Sequence, residues 1–160
     1  MKVRKMAVTG MDKAIAELAA GADHKTLATW AADCAERVLP CFETGHPGDN
    51  RPRRAIEAIR TWVATGVFRM ADVRGTSLAA HAAARDVEGD NAARSAARAA
   101  GQAMATAHVH THSIAAAIYA ATAVRDAAEP ADAEAATVKE REWQYRHLQE
   151  LTESSRVERG

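Results

Sequence analysis

The stretch from Gly101 to Ala120, GQAMATAHVHTHSIAAAIYA, limits what this chain can fold into more than any other. It is apolar enough for a central helix, yet it carries three histidines. Its small residues, among them Gly101, Ala103, Ala105, Ala107 and Ala115 to Ala117, let other helices approach closely, while Met104, Ile114 and Ile118 supply bulk at helical spacing. On a continuous helix His108 and His112, four apart, share one face. Imidazoles inside a packed helix need polar partners, and His81 with the segment Asp49 to Arg53 are the best candidates in the chain.

Alanine dominates a hydrophobic share of 48%, and aromatics make up only 4%, so a core must come from tightly apposed helices with few large anchors. No segment alternates with period two over strand length. The expected fold is all-α, a single-domain Ala-rich multi-helix bundle or stacked helical hairpins. Lys+Arg and Asp+Glu balance at 21 each, which supplies no net field to hold phosphate backbones or anionic lipid. Nucleic acid and membrane are therefore not expected partners. No apolar run approaches the roughly 18 residues of a span, and the segment after MKVRK is too short for a signal-peptide apolar region. A cytoplasmic protein is expected, in which Cys34 and Cys41, lacking CxxC spacing, are two thiols.

Punctuation divides the chain into a flexible arm (1–10), a helical domain (11–153) and a frayed tail (154–160). The first helix runs from Met11 to Ala20 with Gly21 as its stop. Asp23 caps a second, whose Leu27, Trp30, Ala31, Cys34 and Val38 face inward until Pro40 terminates it. A loop, CFETGHPGDNR, follows over 41–51. Pro52 opens a third helix that ends at Gly66, a fourth runs from Met70 to about Asp86, and Asp90 or Asn91 caps the next. Helical composition then continues to Ala128, either as one helix or as two broken at the β-branched, histidine-rich patch Val109 to Thr111. The last helix spans Ala131 to about Glu153. Trp30, Cys34, Ile56, Ile59, Met104 and Ile118 are expected in one core.

Three constellations could carry chemistry. Asp49, Arg51, Arg53 and Arg54 surround Pro52 at a helix start, where cations oppose the helix dipole. Such a violation suits an anion or carboxylate receptor, or else a loop pinned by acids that pair with the arginines. His108, His110 and His112 resemble metal-ligand spacing, but no HExxH motif is present, and a third ligand would have to come from His81, Cys41 or His46. His108 and His112 are the first candidates for metal ligands, so a metal is not excluded, and no other cofactor is expected. The third is Arg74, Ser77, His81 and Arg85 on one side of the fourth helix, without the acid that a nucleophilic triad needs.

The segments WAADCAERVLPCFE, DNRPRRAIEAIRTW and AARAAGQAMATAHVHTHSIAAAIYA, with Trp30, Cys34, Arg37, Phe42, Asp49, Arg51, Arg53, Trp62, His81, Gly101, His108 and His112, resemble a bacterial family. It is the group named "putative immunity proteins" in polymorphic toxin systems, all-α and related to the family-five immunity proteins. The resemblance covers about residues 24 to 150. It implies a non-catalytic protector that binds a protein toxin and blocks it. Asp49, Arg51, Arg53, His81, Arg85, His108 and His112 are the candidate binding residues, and the helix faces rich in small residues would also suit a homodimer. The competing reading is a small-ligand or metal-binding helical protein, conceivably an enzyme, whose pocket combines the Asp/Arg loop with buried histidines. An oligomerisation module is a third.

Overall fold

Punctuation in the sequence becomes helix ends in the computed structural model, which describes residues 6–159. Among these residues the chain forms seven helices and no strand: α1 (Asp12–Ala20), α2 (His24–Glu43), α3 (Arg51–Thr65), α4 (Met70–Asp86), α5 (Asn91–Ala105), α6 (His112–Ala127) and α7 (Ala133–Arg159). Asp23 and Asp90 cap α2 and α5 by accepting from the backbone N–H of Thr26 at 2.8 Å and Ala93 at 2.9 Å. Gly66 ends α3 in the left-handed conformation, with φ of 70°.

The all-α architecture rests on alanine. α5 is the central helix, packed on α2, α3, α4 and α6, and its Ala93, Ala96, Ala97, Ala99, Ala100 and Ala103 are buried. Small side chains bring these axes together, and the few large ones fill what remains: Trp30, Phe42, Ile15, Leu27, Leu39, Ile59 and Leu148 are fully enclosed. A buried polar chain fastens α7. The Trp30 indole donates to the Gln144 carbonyl at 2.9 Å, the Gln144 amide donates to the Ala117 carbonyl at 2.9 Å, and Arg141 bridges Gln144 and Asp12, each at 2.8 Å. None of the described helices is long and apolar enough to cross a membrane.

Three local expectations are corrected, and one open alternative is decided. Pro40 does not end α2 but lies inside it, and the helix continues to Glu43. The alternative left open over 91–128 resolves into two helices, α5 and α6, parted at 106–111, a stretch that contains the histidine-rich patch Val109 to Thr111. The end of α5 tightens into three-residue turns, Ala107 N–H donating to the Met104 carbonyl and His108 N–H to that of Ala105, and His24 Nε2 donates to the Thr106 carbonyl at 2.5 Å. That break resets the phase of α6, which buries Ala116, Ala117, Ala120 and Ala123 and leaves Ile118 only half-buried, outside the core where it was expected. Finally, the tail expected to fray is helical to Arg159, because Ser155 and Arg159 both bond the Asp23 carboxylate. Of the expected flexible arm, residues 1–5 lie outside the described part. Ala7 is buried, and its N–H donates to Thr122 Oγ1 at 3.1 Å.

Candidate functional site

The arginines of the loop before α3 are occupied by acids. Asp49 accepts from the Arg51 backbone N–H at 3.1 Å and from its guanidinium at 2.7 Å, and the same guanidinium reaches Asp86 at the end of α4 at 2.8 Å. Arg53 makes a two-point bond to Glu43 at 2.6 and 2.8 Å. The Arg51 guanidinium holds the Asp49 carboxyl below its ordinary range, and Arg53 does the same for Glu43. Cationic side chains at this helix start are therefore offset by carboxylates, and the loop is fastened to α2 and α4.

The histidines gather elsewhere, around α5. This helix is buried on every side except one stripe, Asn91, Arg94, Arg98, Gln102 and Ala105, at spacings of three and four. Two residues of that stripe each hold an imidazole from a flanking element. Arg98 Nη1 lies 2.9 Å from His81 Nδ1 on α4, and His112 Nδ1 lies 2.7 Å from Gln102 Oε1 at the start of α6. A guanidinium can only donate, so His81 accepts at Nδ1 and carries its proton on Nε2; the amide oxygen can only accept, so His112 carries its proton on Nδ1.

His81 is seated over Gly101. A Cβ at Gly101 would come within 2.7 Å of His81 Nε2, so only glycine leaves room for the ring. Beneath the same ring Ser77 donates to the Gly101 carbonyl at 2.9 Å, rather than to His81. Burial, and then the charges of Arg98, Arg85 and His112, push the His81 imidazole down to about 4. It is neutral at physiological pH. Burial and His108 also lower His112.

His108 does not enter the core. It falls in the linker after α5, is exposed, and stacks on Phe68 from the α3–α4 linker with centroids 6.2 Å apart. His110 lies 6.0 Å from the His24 ring, which packs on Trp62 at 4.8 Å. The structure thus brings His81, His112, His108 and Arg85 to one side, whereas Asp49, Arg51 and Arg53 form a separate ion-paired cluster that reaches α4 through Asp86. Among the described residues no three His, Cys, Asp or Glu side chains come together as a metal site. Two clefts of about 630 Å³ are lined by neither His81, His112 and Arg98 nor the Asp49 to Arg53 loop: one lies between α2 and α7 beside Asp23, His24 and Leu151, the other where Ala7 meets Val138.

Arg98 and Gln102 were not among the candidates drawn from sequence. Their signal was present: in an otherwise alanine-rich helix, Arg94, Arg98 and Gln102 recur every four residues and mark its one polar stripe.

A family model described as "Imm-5 like putative immunity protein" matches residues 17–151. No curated protein and no solved structure gives a match.

Proposed function

The chain belongs to the Imm-5 like putative immunity protein family, and from that membership we propose that it binds a cognate bacterial protein toxin and neutralises it by occupation, without catalysis. The single observation that carries this reading is the extent of the family match, which takes in α2 to α6 completely and most of α7. An enclosed helical scaffold supports it, since a rigid surface loses little entropy when it docks. Exposed Phe68, Met70 and Leu78 near several arginines supply the residue types on which protein interfaces depend. The protein would act in the cytoplasm of the cell that makes the toxin.

Co-expression with the toxin encoded beside its gene tests the proposal. Cells should survive only when this protein is present, and the purified pair should form a stoichiometric complex with the toxin chemically intact. Rescue by a small fraction of an equivalent, or a toxin that is modified on contact, would replace occupation with catalysis.

A further inference from the structure

We infer that the toxin docks through an acidic part of its surface onto the half-buried polar stripe of α5 and the adjoining exposed flank of α4, centred on Arg98. This rests on the immunity reading and adds the place and the chemistry of contact. Arg37, Arg51, Arg53, Arg60, Arg141 and Arg159 all pair with carboxylates. Arg74, Arg85, Arg94 and Arg98 pair with none among the described residues: Arg98 bonds His81, and Arg94 bonds the Val87 carbonyl. On α4, Arg74, His81 and Arg85 stand seven and four apart and share the flank beside α5. The acids of the same two helices and their turn are placed differently. Asp72, two residues from Arg74, lies on the other side of α4, Asp86 is bonded by Arg51, and Asp90 caps α5, leaving Glu88 at the turn.

Two observations give this face its ligand chemistry. The chain has no net charge, so a local excess of arginine is matched by exposed acids elsewhere, including Glu129, Asp132 and Glu134 after α6. Such a polarised surface steers an acidic partner to the arginine side. Arg98, moreover, is held in place by His81, which is itself seated over Gly101, and that bond uses one of the five guanidinium donors. A positioned guanidinium with unused donors fits a carboxylate. Phe68 and Leu78, 42% and 55% exposed, lie near the rim and give the contact its apolar part.

The test reverses charge where no internal bond is lost. Arg74→Glu/Arg85→Glu should weaken binding of the toxin domain by about 100-fold, since each tenfold corresponds to about 1.4 kcal/mol, with most of the loss in association rate and in salt dependence. Arg54→Glu/Arg156→Glu changes net charge equally at two exposed arginines without ion pairs, and should alter affinity by less than about threefold. Equal effects of the two variants, or none from the first, would overturn the docking face while leaving immunity intact. Wild-type protein that fails to bind the toxin at all would instead sink the immunity reading. The face can be probed without the toxin by adding hexaglutamate to the ¹⁵N-labelled protein. Amide shifts should concentrate at Arg85, Arg98 and Gln102 and be absent with hexalysine. Shifts spread evenly over the surface would overturn the inference.

Discussion

The same residue type does opposite work on two sides of this bundle. Where α2 faces α3 and α7, the bridging arginines are met by acids: Arg37 grips Glu140 at 2.6 and 3.0 Å and lies 3.8 Å above the Trp143 ring, while Arg60 bonds both Asp33 and Glu36. Where α4 meets α5, arginine is met by alanine, a neutral imidazole or a backbone carbonyl. The first side uses guanidinium groups to fasten helices. On the second side most of their hydrogen-bonding capacity is left unused by the described residues. What separates the two is the sequence of the opposing helix, since arginine becomes structural wherever a carboxylate stands within reach.

The sharpest way to break this contrast is Arg37→Ala. Glu140 is only 9% exposed and would be left without its two-point partner. An unpaired, largely buried carboxylate is costly, so the variant should lose about 2 to 3 kcal/mol in urea unfolding. A loss below about half a kilocalorie would mean that the pair is an ornament of the surface, and the division between the two sides would disappear.

Gly101→Ala should have the next largest effect, and its sign depends on His81. In the native background the new Cβ collides with a ring that Arg98 holds in place, which should cost about 1 to 2 kcal/mol despite the better helix propensity of alanine. With His81→Ala the obstacle is gone. The same substitution should then stabilise by up to about 1 kcal/mol. If Gly101→Ala destabilises equally in both backgrounds, the glycine serves something other than the imbalance of space between α4 and α5.

These details show where sequence was sufficient. Caps and stops at Asp23, Pro52, Gly66 and Asp90 are local chemistry, and they placed most helix ends and the all-α class. Ile118 and His108 failed for one shared reason. α5 tightens into three-residue turns at Ala107 and His108 and ends, with His24, 82 residues away, bonded to the Thr106 carbonyl, and α6 starts in a new phase. His81 is expected near His112 from the need of buried imidazoles for partners, but that Arg98 and Gln102 hold them follows only from the packing of α4 and α6 on either side of α5. The Asp49 to Arg53 loop offered two readings, receptor or pinned loop, and the choice between them required knowing that Asp86 and Glu43 come within reach.

Acid offers a third and gentler probe, because the two sides respond over different ranges. His81 is held neutral, with its folded value about 4 against an ordinary 6.5. The unfolded chain takes up that proton first, so stability should fall as pH drops from about 6.5 towards 4 and should not change above that window on this account. His112, shifted the same way, adds to the slope. Asp23 works lower down: partial burial raises it, but bonds from Thr26 and Ser155 and the charge of Arg159 outweigh burial and hold it at about 2, so its contribution is lost below pH 4. His81→Gln should flatten the upper window alone, as read from the melting temperature at a series of pH values. A profile unchanged by that substitution would mean that the imidazole titrates normally in the folded protein.

The smallest effect is also the most discriminating. Arg51→Ala removes bonds to Asp49 and Asp86, both at least partly exposed, and should lower stability by about 0.5 to 1 kcal/mol. Arg85→Ala removes no bond among the described residues and should stay within about half a kilocalorie of wild type. It should nevertheless be felt by His81, because the Arg85 charge is one of the causes that depress that imidazole. Removing it raises the His81 titration, which can be followed through its ring protons by NMR, while Arg51→Ala should leave that titration in place. Stability and titration thus separate the two arginines: one matters to the fold and is silent at His81, the other is silent in the fold and acts on His81. If Arg85→Ala unfolds the protein as readily as Arg51→Ala, then α4 relies on Arg85 for its packing, and the arginines beside α5 are fasteners like those on the opposite side.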